Sequence, residues 1–95
     1  MDAEQLLNSA REFFRQGMDK SRKGDHKEAI KDFDQALQIE PNNADAYGNR
    51  CVARYKLGDK HGAIEDCQKA ADLYQVKDKT NDYQYALKIL EKLQR

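Results

Sequence analysis

Ninety-five residues make one domain or part of a longer stack, because a chain of this length cannot build two independent cores. Lysine plus arginine (17) equals aspartate plus glutamate (17), so the chain has no global field to recruit nucleic acid or a membrane surface. Charged residues make up 36% of the chain, a proportion that suits solvent-facing helix surfaces.

The opening residues Met1-Asp2-Ala3-Glu4-Gln5 lack a basic stretch followed by an apolar core, and no signal peptide is expected. No apolar run approaches the roughly 20 residues that a membrane span requires. The two cysteines form neither a disulfide framework nor a metal-ligand cluster, and they suit a reducing, cytoplasmic compartment.

Asp2 with Gln5 three residues later is a capping-box pattern, and Leu6, Ala10, Phe13 and Gly17, with Leu7 and Phe14 beside them, form a helical stripe. Lys23-Gly24-Asp25 ends this first helix. Arg22 and Lys23 complement its last turn, Gly24 can turn left-handed, and Asp25 can cap the next helix. That second helix is predicted from about His26 to Ile39, with Ala29, Ile30, Phe33, Ala36 and Leu37 on one face. Glu40-Pro41-Asn42-Asn43 breaks the pattern, and Asn42 or Asn43 can cap the next segment. A third helix carries Ala44, Tyr47, Cys51, Val52 and Leu57 and stops at Gly58-Asp59. The fourth carries Ala63, Ile64, Cys67, Ala70, Ala71, Leu73 and Tyr74. Gln75 to Lys79 is predicted as a polar connector, and Thr80 as the cap of a last helix bearing Tyr83, Ala86, Leu87, Ile89, Leu90 and Leu93.

Laid over itself at an offset of 34 residues, the chain aligns Ala10 with Ala44, Gly24 with Gly58, Asp25 with Asp59, Ala29 with Ala63, Ile30 with Ile64, Asp32 with Asp66 and Ala36 with Ala70. A fixed period of this length signals a stacked supersecondary unit. With Phe13, Gly17, Ala29, Phe33, Ala36 and Pro41 in one unit and Tyr47, Ala63 and Ala70 in the next, the chain resembles the tetratricopeptide repeat (TPR) family. The resemblance implies an all-α fold, a right-handed superhelical stack of antiparallel helix hairpins within a single domain, 1–95. Two TPR units, 10–43 and 44–77, would be followed by a C-terminal capping helix, 80–94, shifted by two connector residues. Four positions depart from the motif's habits. Lys20 and Arg54 stand where an aromatic is usual, Cys67 replaces the counterpart of Phe33, and Gln75 replaces the exit proline.

In this family the first helices of successive units line a concave wall. The resemblance puts Arg11, Phe14, Arg15, Met18, Ser21 and Arg22 there, with Asp45, Gly48, Asn49, Val52, Tyr55 and Lys56 from the third helix and Tyr85, Lys88 and Lys92 from the last. A basic wall with apolar inserts suits an acidic peptide carrying an apolar anchor, with Asn49 bonding its backbone. The plainer alternative is a solvated helix face, with Phe14 and Met18 packed against the N-terminal extension. The chaperone-tail clamp of some family members is not expected, because only Asn49 matches its residue set.

Cys51 and Cys67 fall at packing positions, and His26 and His61 at helix starts with no third or fourth ligand. No metal or cofactor is expected. With no Ser-His-Asp set, phosphate-cradling glycine loop or HExxH pattern, no enzymatic activity is expected either. The predicted function is a protein–protein interaction module, an adaptor, scaffold or assembly factor. The alternative is a structural or oligomerisation module, or a fragment of a longer array, with Leu6 and Leu7 of the N-terminal helix as a route to a homo-oligomer.

Overall fold

A computed structural model describes residues 1–95 as five helices without a strand: α1 (Ala3–Arg22), α2 (His26–Ile39), α3 (Ala44–Lys56), α4 (Lys60–Val76) and α5 (Thr80–Leu93). Helices adjacent in sequence pack on one another, while α1 barely meets α3. The result is a helical repeat stack of 44 × 31 × 18 Å.

Local chemistry sets the helix ends. Asp2 accepts from the Gln5 N–H at 2.9 Å, and the Gln5 side chain accepts from the Asp2 N–H at 3.0 Å, closing the capping box. Asn43 caps α3 through the Ala46 N–H at 3.0 Å, and Asp59 caps α4 through the Gly62 N–H at 2.9 Å. Asp25 holds the cap position of α2 but makes no side-chain bond there. Thr80 is the first residue of α5 and not its cap, which is Lys79. The cause lies upstream: without a proline at position 75, nothing stops α4, which continues through Gln75 and Val76 and reduces the connector to Lys77-Asp78-Lys79.

Three of the four turns share one geometry. The N–H groups of Asp25, Asp59 and Lys79 donate to the carbonyls of Lys20, Arg54 and Tyr74 at 2.9, 2.8 and 2.9 Å, tying up carbonyls that the helix ends leave free. Gly24 and Gly58 supply the left-handed residue at φ 83° and 86°, and Asp78 supplies it in the third turn at φ 56°. The α4–α5 connection thus repeats the tight turn found inside each unit, not the proline-containing turn between units.

The charged departures from the motif form ion pairs across each hairpin. Lys20 reaches Asp32 at 2.6 Å, and its counterpart Arg54 reaches Asp66 at 2.9 Å. The Asp32 bond holds the Lys20 pKa above its ordinary value. Asp66 is also gripped in bidentate fashion by Arg50, at 2.9 and 2.8 Å, and the remaining Arg50 nitrogen extends to Asp34 on α2 at 2.7 Å. Burial works against the Arg50 charge, but the bonds to Asp66 and Asp34 outweigh it and raise the pKa above the usual guanidinium value. The Arg50 guanidinium also lies 5.4 Å from the Tyr47 ring centre.

Ala29, Ala36, Ala63 and Ala70 are buried and let the helices approach closely. At Gly17 a Cβ would lie 2.7 Å from the fully buried ring of Phe33, so this contact accepts no side chain. The counterpart positions in the second unit hold Cys51 and Cys67, which divide the same space between two medium side chains, both buried and unbridged. Leu57, expected on the third helix, is its C-cap and 52% exposed. His26 is half-buried instead of lying in the open, whereas His61 is exposed and pairs with Glu65 at 2.6 Å.

Gly17→Ala is expected to lower stability by roughly 1 to 3 kcal/mol, because Phe33 must leave its site. Gly48→Ala, whose Cβ would meet only the Tyr74 hydroxyl at 3.8 Å, should raise it by about 0.5 to 1 kcal/mol through helix propensity. Thermal unfolding followed by circular dichroism compares the two. If both lose stability alike, the close contact at Gly17 is not what distinguishes them.

Arg50→Met should cost on the order of 3 kcal/mol, since it leaves Asp66 buried with one partner and frees Asp34 altogether. Arg54→Met should cost less, because Asp66 keeps both bonds from Arg50. Urea unfolding of the two variants orders them. The reverse order would shift the main support of Asp66 to Arg54.

Candidate functional site

The two units differ in how they fill their inner face. In the first, Phe14 of α1 and Phe33 of α2 lie with ring centres 6.0 Å apart and close the space between the helices. One period later the same positions hold Gly48 and Cys67. Removing two aromatic rings leaves room, and α3 and α5, which hardly touch, stand as the walls of a groove floored by α4.

Two adjoining cavities make up the groove. One of about 280 Å³ is bounded by Asp45, Gly48, Asn49 and Val52 of α3, by Cys67, Ala70 and Tyr74 of α4, and by Asp82, Tyr85, Ala86 and Ile89 of α5. The other, about 230 Å³, is bounded by Cys51, Val52, Tyr55, Tyr85, Ile89, Lys92 and Leu93. Val52, Tyr85 and Ile89 border both, so the two cavities lie side by side. Val52 is 42% exposed, Tyr55 56% and Tyr85 67%, so the rim offers apolar surface with no partner inside the chain.

Polar groups punctuate this surface. The Tyr74 hydroxyl donates to the Asp45 carboxylate, and burial followed by that bond pushes the Tyr74 pKa up. Asn49 donates to the Asp45 carbonyl at 2.8 Å and keeps its side-chain oxygen free to accept. Asp45 and Asp82 border the larger cavity and Lys92 the smaller, so the groove carries opposite charges in its two parts.

Of the residues expected at a concave wall, the structure gathers Asn49, Val52, Tyr55 and Tyr85 around this space, together with Asp45, Gly48 and Lys92. Lys56 and Lys88 are exposed but do not border it. None of the α1 residues Arg11, Phe14, Arg15, Met18 and Arg22 borders it either. Phe14 is a packing residue against Phe33, Met18 is half-buried, and Arg11 lies exposed on a helix that scarcely reaches α3. Arg15 bonds Glu12 at 2.5 Å and Asp19 at 3.0 Å, and Arg22 also bonds Asp19, at 2.9 Å. The Glu12–Arg15 hydrogen bond lowers the Glu12 pKa and raises that of Arg15. The basic wall expected from the sequence is therefore largely balanced along its own helix.

Tyr74, Asp82 and Ile89 were not among the expected wall residues. Helical spacing held the signal for two of them, because Asp82 and Ile89 lie three residues before and four after Tyr85. No group of three or more His, Cys, Asp or Glu side chains gathers into a metal-binding cluster. No helix is long and apolar enough to cross a membrane.

Comparison with known proteins agrees with the repeat geometry. The family profile described as TPR repeat matches residues 22–58, from the end of α1 to the α3–α4 turn. The chain is 35% identical over 69 residues to tetratricopeptide repeat protein 36 of Danio rerio, an alignment covering 73% of this chain and 37% of that protein. It is 41% identical over 58 residues to the Mus musculus protein of the same name, covering 61% of this chain and 31% of that one. Serine/threonine-protein phosphatase 5 of Rattus norvegicus is 40% identical over 70 residues, covering 66% of this chain but 14% of the phosphatase. The chain spans about a third of the length of the TPR relatives it matches. The 34-residue period, the shared turns, the small-residue helix contacts and these likenesses agree: the chain belongs to the tetratricopeptide repeat family.

Proposed function

We propose that the groove between α3 and α5 binds a short segment of a partner protein, making the chain a non-catalytic adaptor or assembly module. The observation that carries this reading is the apolar border of Val52, Tyr85 and Ile89 shared by two adjoining cavities, with Val52 and Tyr85 exposed to solvent. An apolar anchor would enter between Val52 and Tyr85, and the free oxygen of Asn49 would accept from the ligand backbone. Lys92 favours a carboxylate at one end of the ligand, and Asp45 with Asp82 favours a cation at the other. The ligand is therefore a segment of mixed charge around an apolar centre and not a uniformly acidic one.

Self-association is the second reading, favoured by Leu6 and Leu7, which are 40% and 42% exposed on the projecting start of α1. Such a dimer would depend on these leucines and not on the groove.

A peptide selected by display against the folded chain tests the proposal. Tyr85→Ala should weaken its binding tenfold or more, since the lost apolar contact is worth about 1.5 to 3 kcal/mol. Gly48→Phe should abolish binding while the fold persists, because it returns to the larger cavity the ring that Phe14 supplies in the first unit. Arg15→Glu should leave affinity unchanged. Calorimetry on the three variants decides. Wild-type affinity in the first two would reject the groove as the site.

A further inference from the structure

The start of α1 runs past the helix that covers the rest of it. α1 is 20 residues long and α2 is 14, and because a tight turn joins the end of one to the start of the other, the excess of roughly 9 Å lies at the N-terminal end of α1. Residues 1–8 are all exposed, Leu6 and Leu7 among them. One face of this segment carries Glu4, Leu7 and Arg11, spaced three and four residues apart, so that an acid, an apolar side chain and a base follow one another along a single stripe.

The α5 wall of the groove carries the reverse order. Asp82, Tyr85, Ile89 and Lys92 border the cavities at spacings of three, four and three residues, which makes them one stripe with a base at its C-terminal end, two apolar side chains, and an acid. A helix lying antiparallel to α5 would therefore set Glu4 beside Lys92, Leu7 over Ile89 and Tyr85, and Arg11 beside Asp82. Glu4 to Arg11 spans about 10 Å of helix and Asp82 to Lys92 about 15 Å, a difference that the long glutamate, arginine and lysine side chains cover. None of these four charged residues makes an ion pair within its own chain. The chain cannot fill its own groove this way. Helix direction alternates along the stack, so α1 runs parallel to α5, and it is held against α2 with little contact to α3.

We propose that the first three turns of α1 from a second copy of this chain dock in the groove, antiparallel to α5. The proposal rests on the reading of the groove as a binding site and names its occupant, which has the mixed charge around an apolar centre that the groove favours. Leu6, next to Leu7, adds apolar area at the edge of the contact. Each contact uses the α1 start of one copy and the groove of another, unlike a dimer in which the leucines of two copies meet one another.

Sedimentation of the full chain from micromolar to millimolar concentration tests the proposal. The wild-type mass should rise with concentration above the 11.0 kDa monomer. Leu7→Asp, which damages the α1 start, and Gly48→Phe, which fills the groove, should each weaken association about tenfold or more. Mixed in equal amounts, these two variants should form a 1:1 pair, because one keeps an intact groove and the other an intact α1 start. Glu4→Lys and Lys92→Glu lie at exposed positions that leave the core untouched, so the test does not depend on Gly48→Phe folding. Each should weaken self-association about threefold or more, and their mixture should recover it, since opposite charges then face one another again. A wild-type chain that stays monomeric, undiminished association of Gly48→Phe, or no recovery in either mixture would overturn the proposal. A monomeric wild type that binds a display-selected peptide, with that binding lost on Gly48→Phe, would reject the second copy as occupant and retain the groove. Wild-type peptide affinity in Gly48→Phe would reject the groove, and the self-docking with it.

Discussion

The stack depends on a buried carboxylate. Asp66 sits inside the second hairpin, where an unpaired charge would be costly, and it is tolerated because Arg50 and Arg54 supply three hydrogen bonds from the facing helix. Arg50 also carries the arrangement across the boundary between units, since its third nitrogen reaches Asp34 on α2. One guanidinium thus joins α2, α3 and α4, fixing both the hairpin and the angle at which the second unit meets the first. Small residues allow this approach, but they contribute no direction. The planar fork of arginine does, because it matches the carboxylates in only one orientation.

The first unit shows a weaker form of the same device. Lys20 contacts Asp32 at the equivalent place, and there Gln16 stands where Arg50 stands later. A lysine is a single point charge, so Asp32 gains an ion pair without the bidentate grip. Aromatic packing of Phe14, Phe33 and the gap at Gly17 holds the first unit instead. The second unit gave up those rings, and the Arg50 network holds its hairpin with less apolar filling. Mutual exchange of packing for ion pairing is what leaves the second unit open enough to have a groove.

Most helix ends were legible in the sequence because their signals are local: the capping box at Asp2 and Gln5, the cap at Asn43, and the glycines at positions 24 and 58. The end of α4 was not, since neither Gln75 nor Val76 breaks a helix, and the turn there rests on Asp78 in a conformation that usually signals glycine. For the groove, the α3 residues followed from helical phase. The α1 residues do not border it, because their surroundings are set elsewhere: Phe14 by a ring on α2, Arg15 and Arg22 by carboxylates along α1 itself. The Arg50–Asp66 bond spans 16 residues and two helices, yet the echo of Asp32 in Asp66 was its trace in the sequence.

The last helix completes the groove through its turn. Had the chain used a second proline-containing turn, α5 would have started in strict register. The longer α4 and the tight Lys77-Asp78-Lys79 turn delay it by two residues, placing Ala86, Leu90 and Leu93 against the core. That register leaves Tyr85 and Ile89 on the side facing α3, four residues apart and each three residues from a charged neighbour, Asp82 and Lys92 respectively, along the same stripe. Shifting α5 by a single residue would turn this stripe by about 100° and dismantle one wall. The unusual left-handed Asp78 is therefore tied to the shape of the groove through helix phase, although it lies outside it.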